Sequence, residues 1–196
     1  MQVAAILSKS GNEIIEINGQ SVSSRFSPWK EADQFIERNR QVIESADDLI
    51  LLGAGSGYQL ARLSDLYPQK RILVIEKVAP VVQLVKRIHG MNISNAVFVS
   101  KDTLDEVLNS EIVKSVMKNQ YGLLVLQSST DFDRPWYAEL QLSLLGRSQK
   151  DLVRILRNRP ELETVINQVD ACERQRDLSI KDIDQMINLN EAGKHR

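Results

Sequence analysis

The sequence predicts an α/β fold: a parallel sheet with flanking helices, preceded by a small β meander and followed by a helical C-terminal extension. Three observations carry this. Two uninterrupted apolar runs, "LILL" at 49–52 and "ILVI" at 72–75, have strand length and lack the polar alternation of a half-exposed sheet. A glycine cluster, "GAGSG" at 53–57, ends the first run and leads into a helix-like segment. Strand-like and helix-like segments then alternate through residues 48–127, as a parallel sheet with right-handed crossovers requires. The arrangement is Rossmann-like.

Residues 1–24 read as the meander. "VAAIL" is apolar, "SKSGN" is a turn cluster, and "EIIEI" alternates acidic with apolar residues. Asn18-Gly19 is the dipeptide that most readily takes the positive φ angles of a tight hairpin. The α/β domain spans 25–146. Its first helix, "SPWKEADQFIERNRQVIES", has Ser27 to cap the free N–H groups, Pro28 at the first helical position and Glu31 to complement the dipole. Trp29, Ala32, Phe35, Ile36, Val42 and Ile43 make its apolar stripe. After "DLILLGAG" comes the helix "GYQLARLSDLY", then the strand "RILVIE" and the helix "APVVQLVKRIHG", stopped by Gly90. "NAVFVS" is the third strand, "TLDEVLNSEIVKSVMKNQ" one long third helix, and "YGLLVLQ" the fourth strand. "DRPWYAELQLSLLGRS" reads as helical. Residues 147–196 continue as a helical extension leading toward a further domain.

Composition excludes several classes. A formal net charge of −1, from 25 basic and 26 acidic residues, lacks the basic excess of a nucleic-acid binder. The locally basic "KDLVRILRNRP" interleaves its charges with Leu and Val, the pattern of a solvated helix face. The single cysteine, Cys172, excludes an internal disulfide and a multi-cysteine zinc site. His89 and His195 are far apart, and no metal-ligand cluster appears. No apolar run reaches the ~18 residues of a membrane span. The N-terminus lacks the basic region of a signal peptide, so a cytoplasmic location is expected.

Gly53, Gly55 and Gly57 permit a tight turn and close approach of the backbone to a bound group, with the next helix aiming its N-terminal N–H groups at that turn. The spacing G-x-G-x-G departs from the dinucleotide fingerprint, because Tyr58 stands where its last glycine belongs. It matches the loop of S-adenosylmethionine-dependent methyltransferases, in which an acid ending the second strand holds the ribose hydroxyls. Glu76 has that place, and a carboxylate accepts two hydroxyls well. Asp102, after the third strand, suits the adenine region. Tyr58 is expected to face the crevice at the strand ends. An inherited turn with no ligand would use glycine in the same way, since fold alone does not confer function.

No catalytic set accompanies the loop. "QSSTDFDRPWY" lacks the Asp/Asn-Pro-Pro-aromatic motif of amino-methylating enzymes, although Asp131, Asp133 and Trp136 are placed to line a pocket. There is no Ser-His-Asp set and no Walker loop. No residue is assigned a catalytic role.

"INGQSVSSRFSPWKEADQFIERN" followed by "LILLGAGSGYQLARLSDLYPQKRILVIEK" resembles the N-terminal part of motility-associated factor (Maf) glycosyltransferases. The positions that carry the resemblance are Ser24, Pro28, Glu31, Ala32, Gly53, Gly55, Gly57, Tyr58 and Val74–Glu76, within roughly residues 10–80. The resemblance implies bacterial flagellin glycosylation, in which nonulosonic sugars pass from CMP-activated donors to Ser or Thr. The Gly-Pro-Ser-type motif of that family's catalytic domain is not in this sequence, and a full-length member is expected to continue past "NEAGKHR".

Three functions are therefore expected in order. The first is an accessory, non-catalytic N-terminal domain of a Maf-like protein. The second is a small-molecule methyltransferase with Gly53, Gly55, Gly57, Tyr58, Glu76 and Asp102 around its cofactor. The third is a ligand-free interaction module. The candidate ligands are S-adenosylmethionine and a CMP-sugar. The candidate partners are flagellin, another domain of the same protein, or a second copy bound through the C-terminal helices.

Overall fold

The computed structural model describes residues 1–146, and its first elements form a three-stranded antiparallel sheet: β1 (Val3–Leu7), β2 (Glu13–Ile17) and β3 (Gln20–Ser21), in the order β1-β2-β3. Asn18 and Gly19 turn β2 into β3 with φ of +49° and +79°, so the expected hairpin chemistry is used as such.

Helix α1 (Pro28–Ser45) follows. Pro28 sits in its first turn as expected, but the Ser27 side chain makes no cap hydrogen bond. Ser24 acts instead: its Oγ accepts the N–H groups of Phe26 and Ser27, both at 3.2 Å, and its own N–H reaches Glu31 Oε2 at 2.8 Å. Ala32, Phe35, Ile36 and Ile43 are buried as the stripe requires, whereas Val42 is 40% exposed at the edge of the stripe.

The main sheet is parallel and four-stranded. Its strands are β4 (Asp48–Leu52), β5 (Arg71–Ile75), β6 (Ala96–Val99) and β7 (Tyr121–Val125), in the order β6-β5-β4-β7. Strand β4 pairs with β5 from Asp48↔Arg71 to Leu52↔Ile75 and with β7 from Asp48↔Tyr121 to Leu52↔Val125. Leu49, Leu51, Ile72 and Val74 join one core with Phe35 and Ile36 of α1. By the period of two, Ile50, Leu52, Leu73 and Ile75 face the other side, and they too have no exposed surface. Each such side chain stabilises the fold by roughly 1.5–3 kcal/mol relative to an exposed one. Ile15 and Ile17 of β2 belong to the same core, so the small sheet is fused to the large one.

Helix α2 (Tyr58–Leu66) joins β4 to β5, and α3 (Ala79–His89) with a 3-10 turn (Gly90–Ile93) joins β5 to β6. Gly90, at φ +49°, closes α3 as expected. The long third helix is two: α4 (Leu104–Leu108) and α5 (Glu111–Met117). Asn109 satisfies the end of α4 through its N–H to Asp105 O, and Ser110 turns extended to start α5. Thr103 and Glu106 cap α4 reciprocally, a capping box. After β7 come the short α6 (Gln127–Thr130), a 3-10 turn (Asp131–Asp133) and α7 (Arg134–Leu144).

The chain divides into two compact units, Met1–Tyr137 and Ala138–Arg196, and both sheets lie in the first. The extension expected over 147–196, with Cys172 and His195, lies outside the described residues. Among the described residues, no helix is long and apolar enough to cross a membrane.

Candidate functional site

The glycine loop sits where the sequence predicts it, between the end of β4 and the start of α2. Gly53, Gly55 and Gly57 have φ of +80°, +55° and +86°. The use made of these glycines is internal. A Cβ on Gly57 would lie 2.4 Å from His89 Cδ2 and 2.9 Å from Val85 Cγ1, and one on Gly53 would lie 2.6 Å from Ser129 Cβ. The close approach that glycine permits is therefore an approach of this chain's own side chains.

The loop amides tell the same story. Gly53 N–H donates to Ile75 O at 2.9 Å, Ala54 N–H to Glu76 Oε2 at 2.9 Å, and Gly55 N–H to Ser129 Oγ at 3.2 Å. Ser56 N–H donates to Ser23 Oγ at 3.1 Å and Gly57 N–H to Ala54 O at 3.0 Å. Every backbone donor from Gly53 to Gly57 has a partner in the chain. The loop is also tied sideways, since Ser56 Oγ accepts Ile15 N–H of β2 at 2.8 Å.

Glu76 is 1% exposed and receives four donors. Its Oε2 accepts Ala54 N–H and Ser129 Oγ–H, each at 2.9 Å, and its Oε1 accepts Val78 N–H at 2.9 Å and Tyr137 O–H at 3.1 Å. A carboxylate offers about four lone-pair sites, and here each has a donor from the chain. Tyr137 OH also accepts Lys77 N–H at 2.9 Å. Burial, with the Glu76 carboxylate beside it, pushes the Tyr137 hydroxyl far above the usual phenol range, so it stays a donor. A cofactor seated on Gly53–Gly57 and Glu76 does not fit these residues as arranged: the five loop amides and the carboxylate are engaged within the chain.

Tyr58 is displaced from its expected position. It is 3% exposed, its hydroxyl donates to Glu13 O of β2 at 2.6 Å, and it packs with Ile14 and Ala32. The rings of Trp29 and His89 meet it edge-on at 4.9 and 4.8 Å. The small sheet supplies both a carbonyl and an apolar wall, and this attracts the ring away from the strand ends. His89 Nε2–H donates to Ser56 O at 2.8 Å. Burial holds the His89 imidazole below its usual pKa, only partly offset by that hydrogen bond.

Asp102 lies elsewhere, on a cleft of about 620 Å³ at the C-terminal ends of β5, β6 and β7. Lys77 to Pro80 form one wall, Ser100 to Asp102 another, and Phe132, Asp133 and Tyr137 a third. This is the edge of an open α/β sheet where ligands bind. Lys77 pairs with Asp133 and lies 5.2 Å from the Trp136 ring, whose Nε1–H donates to Asp102 O at 3.2 Å. Asp133 thus lines the cleft as expected, whereas Trp136 only borders it through Lys77 and Asp102, and Asp131 pairs with Arg134 at 2.9 Å. Of the six residues expected around one ligand, five form or flank the closed loop and Asp102 alone lines the cleft. Ser129 and Tyr137 were not singled out in the sequence. They reach Glu76 across 53 and 61 residues, and the only available signal was that a buried strand-end acid needs donors.

Comparison with family models, curated proteins and solved structures gives no match. Among the described residues, no group of three His, Cys, Asp or Glu side chains is placed to hold a metal ion.

Proposed function

We propose that this chain is a non-catalytic accessory region of a Maf-like flagellin glycosylation protein, in which the glycine loop locks the fold and the strand-end cleft is the binding face. One observation carries this: the loop amides and all four acceptor sites of Glu76 are bonded within the chain. The residues behind the family resemblance support it. Ser24 and Glu31 brace the start of α1, while the neighbouring Ser23 holds the loop at Ser56. The partner in this proposal is flagellin or another domain of the same protein, and nonulosonic-acid transfer from a CMP-sugar belongs to a different domain.

Calorimetry with S-adenosylmethionine, CMP and a CMP-sugar tests the locked loop. No saturable heat that depends on Glu76 is expected. Binding of S-adenosylmethionine that disappears in Glu76→Ala, with the variant still folded, would replace this reading by the methyltransferase.

A further inference from the structure

We infer that β1 is the docking edge for a second copy of this chain, which adds its own β1 antiparallel across a two-fold axis at Ala5. The inference goes beyond the proposed function and stands without it, because it needs neither a closed loop nor a ligand.

The direction of the β2 backbone defines the edge. Strand β1 lies at the end of the small sheet, with Ala5 opposite Ile15 and Leu7 opposite Glu13. Both β2 residues direct their backbone groups away from β1. Ile15 N–H donates to Ser56 Oγ at 2.8 Å and Ile15 O accepts Val22 N–H at 3.0 Å, while Glu13 O accepts the Tyr58 hydroxyl at 2.6 Å. These are therefore non-hydrogen-bonded pairs of the ladder, so Val3, Ala5 and Leu7 turn both N–H and C=O outward. Among the described residues, none outside the small sheet takes any of those groups. The open edge ends at Lys9, whose N–H donates to Arg25 O at 2.7 Å. Val3–Leu7 is also unguarded: its sequence, VAAIL, has no charge and no proline, and its register with β2 has no bulge.

What fits this edge is the strand itself. Pairing about Ala5 sets Val3 opposite Leu7 of the second copy, Ala5 opposite Ala5, and Leu7 opposite Val3, and each pair exchanges two hydrogen bonds. A slip of two residues would set Val3 against Lys9, whose N–H is taken, or Leu7 against the terminal Met1. The side chains favour the same register. Leu7 is 69% exposed, whereas Val3 at the other end of the strand lines the strand-end cleft with Val78, Ala79, Pro80 and Phe132. Opposed residues share a face with Cα atoms about 5.5 Å apart, so the two-fold carries Leu7 of each copy beside Val3 of the other. The exposed side chain and the apolar surface that covers it thus lie at opposite ends of one strand, as an isologous contact requires. At the axis two Ala5 side chains meet without crowding or charge, and on the other face Ala4 meets Ile6.

Sedimentation of the 196-residue chain between about 10 µM and 1 mM tests this. A contact of this size makes a transient dimer, with a dissociation constant on the order of 10–100 µM. Leu7→Asp sets a carboxylate against Val3 at both ends of the contact and should weaken the dimer by about tenfold or more. Ala5→Pro removes an outward N–H that β2 does not use, so the monomer should keep its fold and the dimer should be lost. Amide exchange reads the edge directly. Val3, Ala5 and Leu7 should become protected as concentration rises, while Ala4 and Ile6, bonded to β2, should not change. The inference is overturned by a chain still monomeric at about 1 mM, or by a dimer that survives either substitution in folded protein. Exchange at Val3, Ala5 and Leu7 that is independent of concentration overturns it equally. If Ala5→Pro does not fold, Leu7→Asp and the exchange pattern decide. None of these failures touches the locked loop.

Discussion

Replacing Glu76 by Gln keeps the shape of the side chain and removes half of its accepting capacity. One oxygen becomes an amide NH2, so two of the four donors, either Ala54 N–H with Ser129 Oγ–H or Val78 N–H with Tyr137 O–H, face another donor. A hydrogen bond to a charged group contributes about 1.5–3 kcal/mol net, so two lost contacts cost about 3 kcal/mol at the lower end. All four at the same rate would cost about 6 kcal/mol, but the surviving oxygen keeps two, and removing a buried charge works in the opposite direction. For a chain of this length, about 3 kcal/mol corresponds to a fall in melting temperature of roughly 6–12 °C. Thermal unfolding followed by circular dichroism reads it directly. Ser129→Ala and Tyr137→Phe each remove one donor and should cost about 1 kcal/mol. A Glu76→Gln protein melting within about 1 °C of the parent would refute the reasoning, since a carboxylate that holds the loop together cannot be halved without effect.

Two further outcomes follow from the same contacts. Gly57→Ala sets a Cβ against the His89 ring at φ +86°, so left-handed strain and overpacking together should destabilise by about 2–5 kcal/mol, read by urea unfolding. His89 is buried neutral with a lowered pKa, so the unfolded chain takes up its proton first on acidification. Its contribution is complete above the unfolded value of about 6.5 and declines as pH falls below it, at no more than about 1.4 kcal/mol per pH unit. Urea midpoints between neutral pH and mild acid should show that slope in the parent and a flatter one in His89→Gln.

What was legible in the sequence depended on locality. Leu49–Leu52 and Ile72–Ile75 declared buried parallel strands because both faces of each are covered, and Asn18-Gly19 declared its hairpin because two positive φ angles suffice. The break at Asn109-Ser110 was hidden within a run of helix formers and is visible only through the turn that Asn109 and Ser110 make. The glycines were read correctly as a tight turn, but what fills the space beside them comes from Ser129 and His89, 76 and 32 residues beyond Gly53 and Gly57 respectively. Tyr58 misled for the same reason. Its neighbours in sequence point toward the loop, whereas its hydroxyl finds a carbonyl in a sheet formed 45 residues earlier. Placement on the strand-end edge was thus readable for Asp102, which follows its strand by three residues, and unreadable for Tyr58, whose partners arrive from other elements.

The central claim is that the loop is held by its own chain, and amide hydrogen exchange measures this at the atoms concerned. In ligand-free protein the amides of Ala54, Gly55 and Ser56 should be protected to nearly the level of the β4 core, and S-adenosylmethionine, CMP or a CMP-sugar should leave them unchanged. Free exchange at those three amides, becoming slow only when one of these ligands is added, would contradict the account and restore the loop as a cofactor cradle.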